Sequence, residues 1–124
     1  MDILISNSTG KPIYEQIETQ IKNMIIAGTL QEGDALPSIR TLAKELRISV
    51  ITTKRAYEEL DRAGFISTMP GKGSFVASKN VEIIKEEQLR TIESHLQEAI
   101  DVAQVSDISL DQMKNILDIL YTGA

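Results

Sequence analysis

The 124-residue sequence predicts a mostly α-helical chain carrying one small β-hairpin. Apolar residues recur at three- and four-residue spacing through five separate segments, the period of helices with one buried face. The string Pro70-Gly71-Lys72-Gly73 separates two short apolar runs and reads as a hairpin turn. There is no Cys or Trp and only 4% aromatic content, so the core is aliphatic and no disulfide or thiolate metal site can staple it.

Residues 1–10 read as an extended arm with a polar end. Pro12 then sits in the first turn of a helix, where its missing N–H costs nothing. Ile13, Ile17, Ile21, Met24 and Ile25 form one stripe, and Gly28 supplies a stop. Residues 28–37 hold two Gly and one Pro and read as a loop, with Leu30 and Leu36 turned inward. Ser38 caps a second helix of about two turns, whose apolar face is Ile39, Leu42, Ala43 and Leu46. A tight break at Arg47-Ile48 leads to Ser49, the cap of a third helix that runs to about Ala63 and stops at Gly64. Thr53, Ala56, Tyr57, Leu60 and Ala63 share one face of it; Ser49, Val50, Thr52 and Lys54 fall mostly on another. Residues 65–68 and 74–77 read as the hairpin strands. Three helices with a short middle one, a tight turn and a hairpin make a winged helix-turn-helix over residues 11–78.

A fourth helix is expected from Val81, striped by Ile84, Leu89, Ile92, Leu96, Ala99, Ile100 and Ala103. It breaks near residues 105–108, where Ser109 and Gln112 have the spacing of a capping box. A fifth helix follows, with Leu110, Met113, Ile116, Leu117 and Leu120. Two helices alone bury little, so residues 79–124 are expected to dimerise through Leu89, Ile92, Leu96, Ile100, Met113, Ile116, Leu117 and Leu120.

The net charge of -5 at first argues against a nucleic-acid partner, but its distribution does not. Residues 11–79 hold ten Lys/Arg against eight Asp/Glu, whereas residues 80–124 hold three against nine. Residues 36–55 carry five basic side chains, Arg40, Lys44, Arg47, Lys54 and Arg55, against the single Glu45. Phosphate contact depends on this local field. In a helix-turn-helix the second helix enters the major groove by its N-terminal turn, which needs side chains that donate and accept. Ser49, Thr52 and Lys54 meet that need; Arg40 reaches backbone or a guanine edge, Lys44 and Arg55 suit phosphates, and the Gly71-Lys72-Gly73 tip allows close approach to the minor groove or its phosphates. Arg47 and Arg62 fit solvent or ion-pair roles, and Tyr57 fits the core.

These residues carry a resemblance. Gly28-x-Leu30, Gly33, Leu36-Pro37-Ser38-x-Arg40-x-Leu42-Ala43, Ser49, Thr52, Ala56-Tyr57-x-x-Leu60, Gly64-x-Ile66 and Gly71-x-Gly73-x-Phe75-Val76 resemble the DNA-binding domain of the GntR family. The resemblance implies a dimeric regulator, a repressor or an activator, that binds double-stranded DNA at a pseudo-palindromic operator. It implies DNA contact by Arg40, by residues 49, 50, 52 and 54, and by Gly71. Ser38, Lys44, Arg55, Lys72 and Gly73 complete the expected contact set. Many members have Arg where this chain has Val50, and an apolar residue where it has Thr53; Val50 suits a thymine methyl instead. The length following the wing resembles the small YtrA subfamily, whose two-helix tail implies dimerisation.

Other classes have less support. A winged helix can serve as a protein-interaction module, and a pocket between the tail helices could sense a small molecule. No convergent polar cluster marks an effector site, and the effector is left unknown. His95 is the only histidine; Glu86, Glu87, Glu93, Glu98 and Asp101 read as a solvated helix face. No nucleophile triad, phosphate loop or metal motif is present, so neither enzyme activity nor a cofactor is expected. With no apolar run of about 18 residues and no basic-then-apolar leader, no membrane association is expected and a cytoplasmic location is.

Overall fold

Among the described residues, 1–78 and 81–123, the computed structural model holds five α-helices and one antiparallel hairpin. The order is α1 (Ile13–Ile26), α2 (Ile39–Leu46), α3 (Val50–Arg62), β1 (Ile66–Met69), β2 (Gly73–Val76), α4 (Val81–Val105) and α5 (Leu110–Thr122). The chain divides into two compact units, Met1–Val81 and Glu82–Ala124. The boundary expected after residue 78 abuts residues 79–80, which lie outside the described residues.

In the first unit the helical stripes face one core. Ile17, Ile21 and Ile25 of α1 are buried, with Ile13 and Met24 half-buried at the margins. Helix α3 buries Thr53, Ala56, Tyr57 and Leu60, and α1, α2 and β1 all pack against it. Each large aliphatic side chain buried there contributes about 1.5–3 kcal/mol. Ala63, expected on the apolar face, is instead exposed: it is the C-cap, and Gly64 at φ 82 turns the chain away just after it.

Both caps form as the sequence predicts. Ser38 accepts the Thr41 amide at 3.1 Å and Ser49 the Thr52 amide at 3.0 Å. Between them the turn passes through Arg47 in the left-handed region, φ 57 and ψ 47, a conformation that costs a non-glycine residue about 1–2 kcal/mol. Bonds from the Arg47 amide to the Lys44 carbonyl and from the Ile48 amide to the Ala43 carbonyl close the helix end and offset that cost.

The hairpin is displaced slightly from the expected runs. The Phe65 amide is taken by the Leu60 carbonyl at the end of α3, so the ladder starts at Ile66, paired with Val76. At the tip the Lys72 amide bonds the Met69 carbonyl and Gly71 sits at φ 78, a type II turn with Pro70 ahead of the glycine. The loop before α2 adds a third strip that alternation did not reveal. Gly33 donates to the Val76 carbonyl, Val76 to Asp34 and Leu36 to Ser74, with Ala35 bridged to Phe75. Leu36 is thereby buried while Leu30 stays half-buried.

The arm is ordered by two glutamines one helical turn apart. The Gln16 side chain accepts the Ser6 amide at 2.9 Å and donates to the Ser6 carbonyl at 2.8 Å and the Lys11 carbonyl at 2.9 Å. Gln20 does the same for Leu4, accepting at 3.0 Å and donating at 2.7 Å. Four helical residues rise about 6 Å and two extended residues span about 6.6 Å, so an i, i+4 pair can satisfy an i, i+2 pair of backbone amides. Ile3 is buried beside this clamp.

The second unit holds α4 and α5, joined by a short turn. Ser109 and Gln112 form the capping box of α5, and the Ile108 amide bonds the Ala103 carbonyl at the end of α4. Ile84 and Ala103 are buried, but α5 buries nothing. Among the described residues no helix is long and apolar enough to cross a membrane.

The clamp yields a prediction. Gln16→Glu keeps the acceptor but turns a carboxylate toward the Ser6 and Lys11 carbonyls, so it should cost about 1–3 kcal/mol in urea unfolding and expose the arm to proteolysis. An unchanged midpoint and protease resistance would show that the arm contributes nothing.

Candidate nucleic-acid interface

The candidate surface is the bare side of α3, flanked by α2 and α1. Opposite the buried residues of α3, its first turn projects Ile51 at 81% exposure, and Val50 at the helix head is 48% exposed. Ser49 donates from its hydroxyl to Thr52 at 2.8 Å while accepting the Thr52 amide. The Ser49 proton is thus committed, and the Thr52 hydroxyl keeps one to offer outward. Ser38 and Thr41 repeat the same hydroxyl pair at the head of α2, at 2.8 Å.

Besides its packing on α3, the head of α2 is tied to it by one part-buried hydrogen bond. Tyr57, at the middle of α3, donates from its hydroxyl to the Pro37 carbonyl at 2.7 Å. The N-terminal end of α2, with Ser38 and Arg40, is therefore held against the middle of α3, and Ile39 lines one cleft with Lys54, Tyr57, Glu58 and Asp61. Arg40 and Lys44 lie one turn apart on the exposed side of α2. Thr53 is fully buried, and its hydroxyl is satisfied by the Ser49 carbonyl at 3.1 Å, which explains how a polar side chain occupies an apolar position.

The cations of α3 differ in their surroundings. Lys54 lies 3.8 Å from Glu58, and Arg62 lies 2.6 Å from Glu59. Arg55 faces the other flank, with its guanidinium carbon 3.9 Å from the centre of the Tyr14 ring on α1. Arg47 is exposed at the turn and fills the left-handed cap. Gly71, Lys72 and Gly73 form the exposed hairpin tip. The hairpin is tied back to α3 through Asp61, which accepts the Thr68 amide at 3.3 Å.

Residues 13–76 match the family described as bacterial regulatory proteins, gntR family. The chain belongs to the GntR family. The HTH-type transcriptional repressor YtrA of Bacillus subtilis is 32% identical over 90% of this chain and 85% of its own. A transcriptional regulator from Oenococcus oeni superimposes with a TM-score of 0.75 at 28% identity, over 94% of this chain and 97% of that one. YtrA from Sulfolobus acidocaldarius, a GntR-family transcription factor, gives 0.64 at 35% identity, over 77% of this chain and 97% of that one. This GntR chain is therefore a transcriptional regulator with the winged-helix fold of its family, not an enzyme.

Three residues of this surface were not singled out from the sequence. Ile51 carries a signal in retrospect: it is an apolar residue opposite the buried stripe of an amphipathic helix. Tyr14 and Asp61 carry none, because their partners lie on other elements. His95 lies 4.0 Å from Glu98 on an exposed face of α4.

Tyr57 makes stability depend on alkaline pH. Burial first, and the Glu45 carboxylate second, hold its hydroxyl protonated well above the ordinary value of 10.0. Above that value an unfolded tyrosine ionises while the native one stays neutral. Stability then falls with rising pH, by up to about 1.4 kcal/mol per pH unit. Tyr57→Phe should remove this part of the alkaline slope while costing about 1 kcal/mol at neutral pH for the lost bond to Pro37. Urea unfolding of both chains from about pH 9 to 11 measures it, and parallel pH profiles would refute it.

Proposed function

We propose that this regulator is a sequence-specific repressor that binds a pseudo-palindromic operator in double-stranded DNA as a homodimer. In this reading α3 enters the major groove and the Gly71-Lys72-Gly73 tip meets the backbone or minor groove. The observation that carries it is the exposed part of the first turn of α3, Val50 and Ile51, beside the capped head of α2. Ser49, Thr52 and Lys54 offer polar contacts there. Arg40 and Ser38 extend the surface along α2, and Lys44 and Arg55 serve phosphates. Val50 and Ile51 suit thymine methyls, which favours T·A steps where relatives with Arg at position 50 favour guanine.

The exposed apolar residues of the second unit support the dimer. Leu89, Ile92, Leu96, Ile116, Leu117 and Leu120 are all exposed, and Ile100 and Met113 are half-buried. Ala99, Val102, Ala103, Ile108, Met113 and Ile116 line an apolar groove of about 320 Å³ between α4 and α5. A patch of this kind marks an interaction site, and a second copy supplies a matching one by symmetry. Such a dimer sets two α3 helices about 34 Å apart, one DNA turn.

Two experiments test these points. Duplex DNA selected from a random pool should bind with a steep negative salt dependence, and Arg40→Ala should weaken binding by about 1–3 kcal/mol if that side chain reads a base. Binding that ignores both salt and Arg40→Ala would sink the DNA reading and favour a protein partner. For the dimer, Leu96→Glu combined with Leu117→Glu should convert a dimeric species to a monomer in sedimentation velocity and weaken operator affinity at least tenfold. A double variant that sediments as the wild type does would place the interface elsewhere.

A further inference from the structure

We propose that Tyr14 is a positioning residue for DNA binding: its ring holds the Arg55 guanidinium as a preset contact for a backbone phosphate on the flank of α3. The proposal rests on the DNA-binding reading and goes beyond it, to a residue of α1.

Arg55 has two acidic neighbours at helical spacing, Glu58 three residues on and Glu59 four residues on. Neither takes it. Glu58 lies with Lys54 and Glu59 with Arg62, and among the described residues no ion pair includes Arg55. Instead its guanidinium lies 3.9 Å from the centre of the Tyr14 ring. Arg55 is therefore the cation of α3 that is held in place without being neutralised.

That combination suits a phosphate. A guanidinium held at the face of a ring keeps its positive charge and leaves N–H donors free for a second partner. A flexible arginine gives up rotamer freedom when it binds; a stacked one has given up part of it beforehand. The direction is also suitable. Arg55 lies four residues after Ile51, which is 81% exposed, so the two share a face about 6 Å apart along the axis. When the N-terminal turn of a helix meets base edges, side chains one turn further back come level with the phosphates that border the groove. A simple brace between α1 and α3 would leave the charge without a function, and the packing of the two helices, which bury Ile17, Ile21, Ala56 and Leu60, already provides a brace.

A phosphate contact is independent of sequence, so the full chain can be tested on a labelled duplex of mixed sequence by fluorescence anisotropy. The readout is the slope of log affinity against log salt between about 50 and 200 mM. Arg55→Ala should weaken binding and reduce the slope by about 0.9. Tyr14→Leu should weaken binding about two- to fivefold with the slope retained, because the charge remains. Tyr14→Phe keeps the ring and should restore the affinity that Tyr14→Leu loses. Tyr14→Leu combined with Arg55→Ala should bind no more weakly than Arg55→Ala alone. Thermal unfolding of each variant separates these effects from loss of fold, and if Tyr14→Leu fails to fold, Arg55→Ala decides. A wild-type salt slope unchanged by Arg55→Ala overturns the inference alone, as does a double variant in which the two losses simply add. A wild-type chain with no salt-dependent binding overturns the DNA reading and the inference together.

Discussion

The first unit depends on α3 being buried along one side only. Thr53, Ala56, Tyr57 and Leu60 occupy that side, and α1, α2 and the hairpin strand β1 all pack against α3. The same thirteen residues leave Ile51 81% exposed on the opposite side and Val50 48% exposed at the helix head. Packing and presentation thus follow from one rotation of one helix. The bond from Tyr57 to the Pro37 carbonyl then sets where α2 begins relative to α3, and with it the position of Arg40. A polar side chain at 53 is compatible with this arrangement because the Ser49 carbonyl accepts its hydroxyl.

Electrostatics are organised locally. The net charge of -5 belongs mainly to residues 80–124, while α2 and α3 carry a basic set on their exposed sides. Within α3, Glu58 lies with Lys54 and Glu59 with Arg62, Asp61 accepts the Thr68 amide, and the remaining arginine is held by a ring. Surface ion pairs of this type contribute little to stability, about 0–1 kcal/mol. Their effect here is to decide which cation stays available to an external anion.

The second unit has a different energetic problem. Helix α5 is capped at both ends yet buries no side chain, and most of the apolar stripe on α4 faces outward. Helices of this size draw most of their stability from packing an apolar face. In the proposed dimer that packing comes from a second chain, so folding of this unit and assembly are coupled. DNA affinity then depends on chain concentration, because two winged helices held together bind an operator far better than two apart.

Local chemistry was legible in the sequence wherever a single element decided it. Serine caps at 38, 49 and 109, the stripes of all five helices, the glycine stops and the Pro70-Gly71 turn could each be read from neighbours a few residues apart, because helix period and turn geometry are local properties. The motif residues also identified the family, which residues 13–76 match. Tertiary structure decided what depends on residues distant in sequence. Gln16 and Gln20 order the arm, residues 33–36 add a strip to the hairpin, and Asp61 anchors Thr68. Arg55, which composition places among the exposed cations, is turned by Tyr14 from more than 40 positions away. No periodicity encodes such a pair, since it exists only once α1 and α3 have buried their apolar faces against each other.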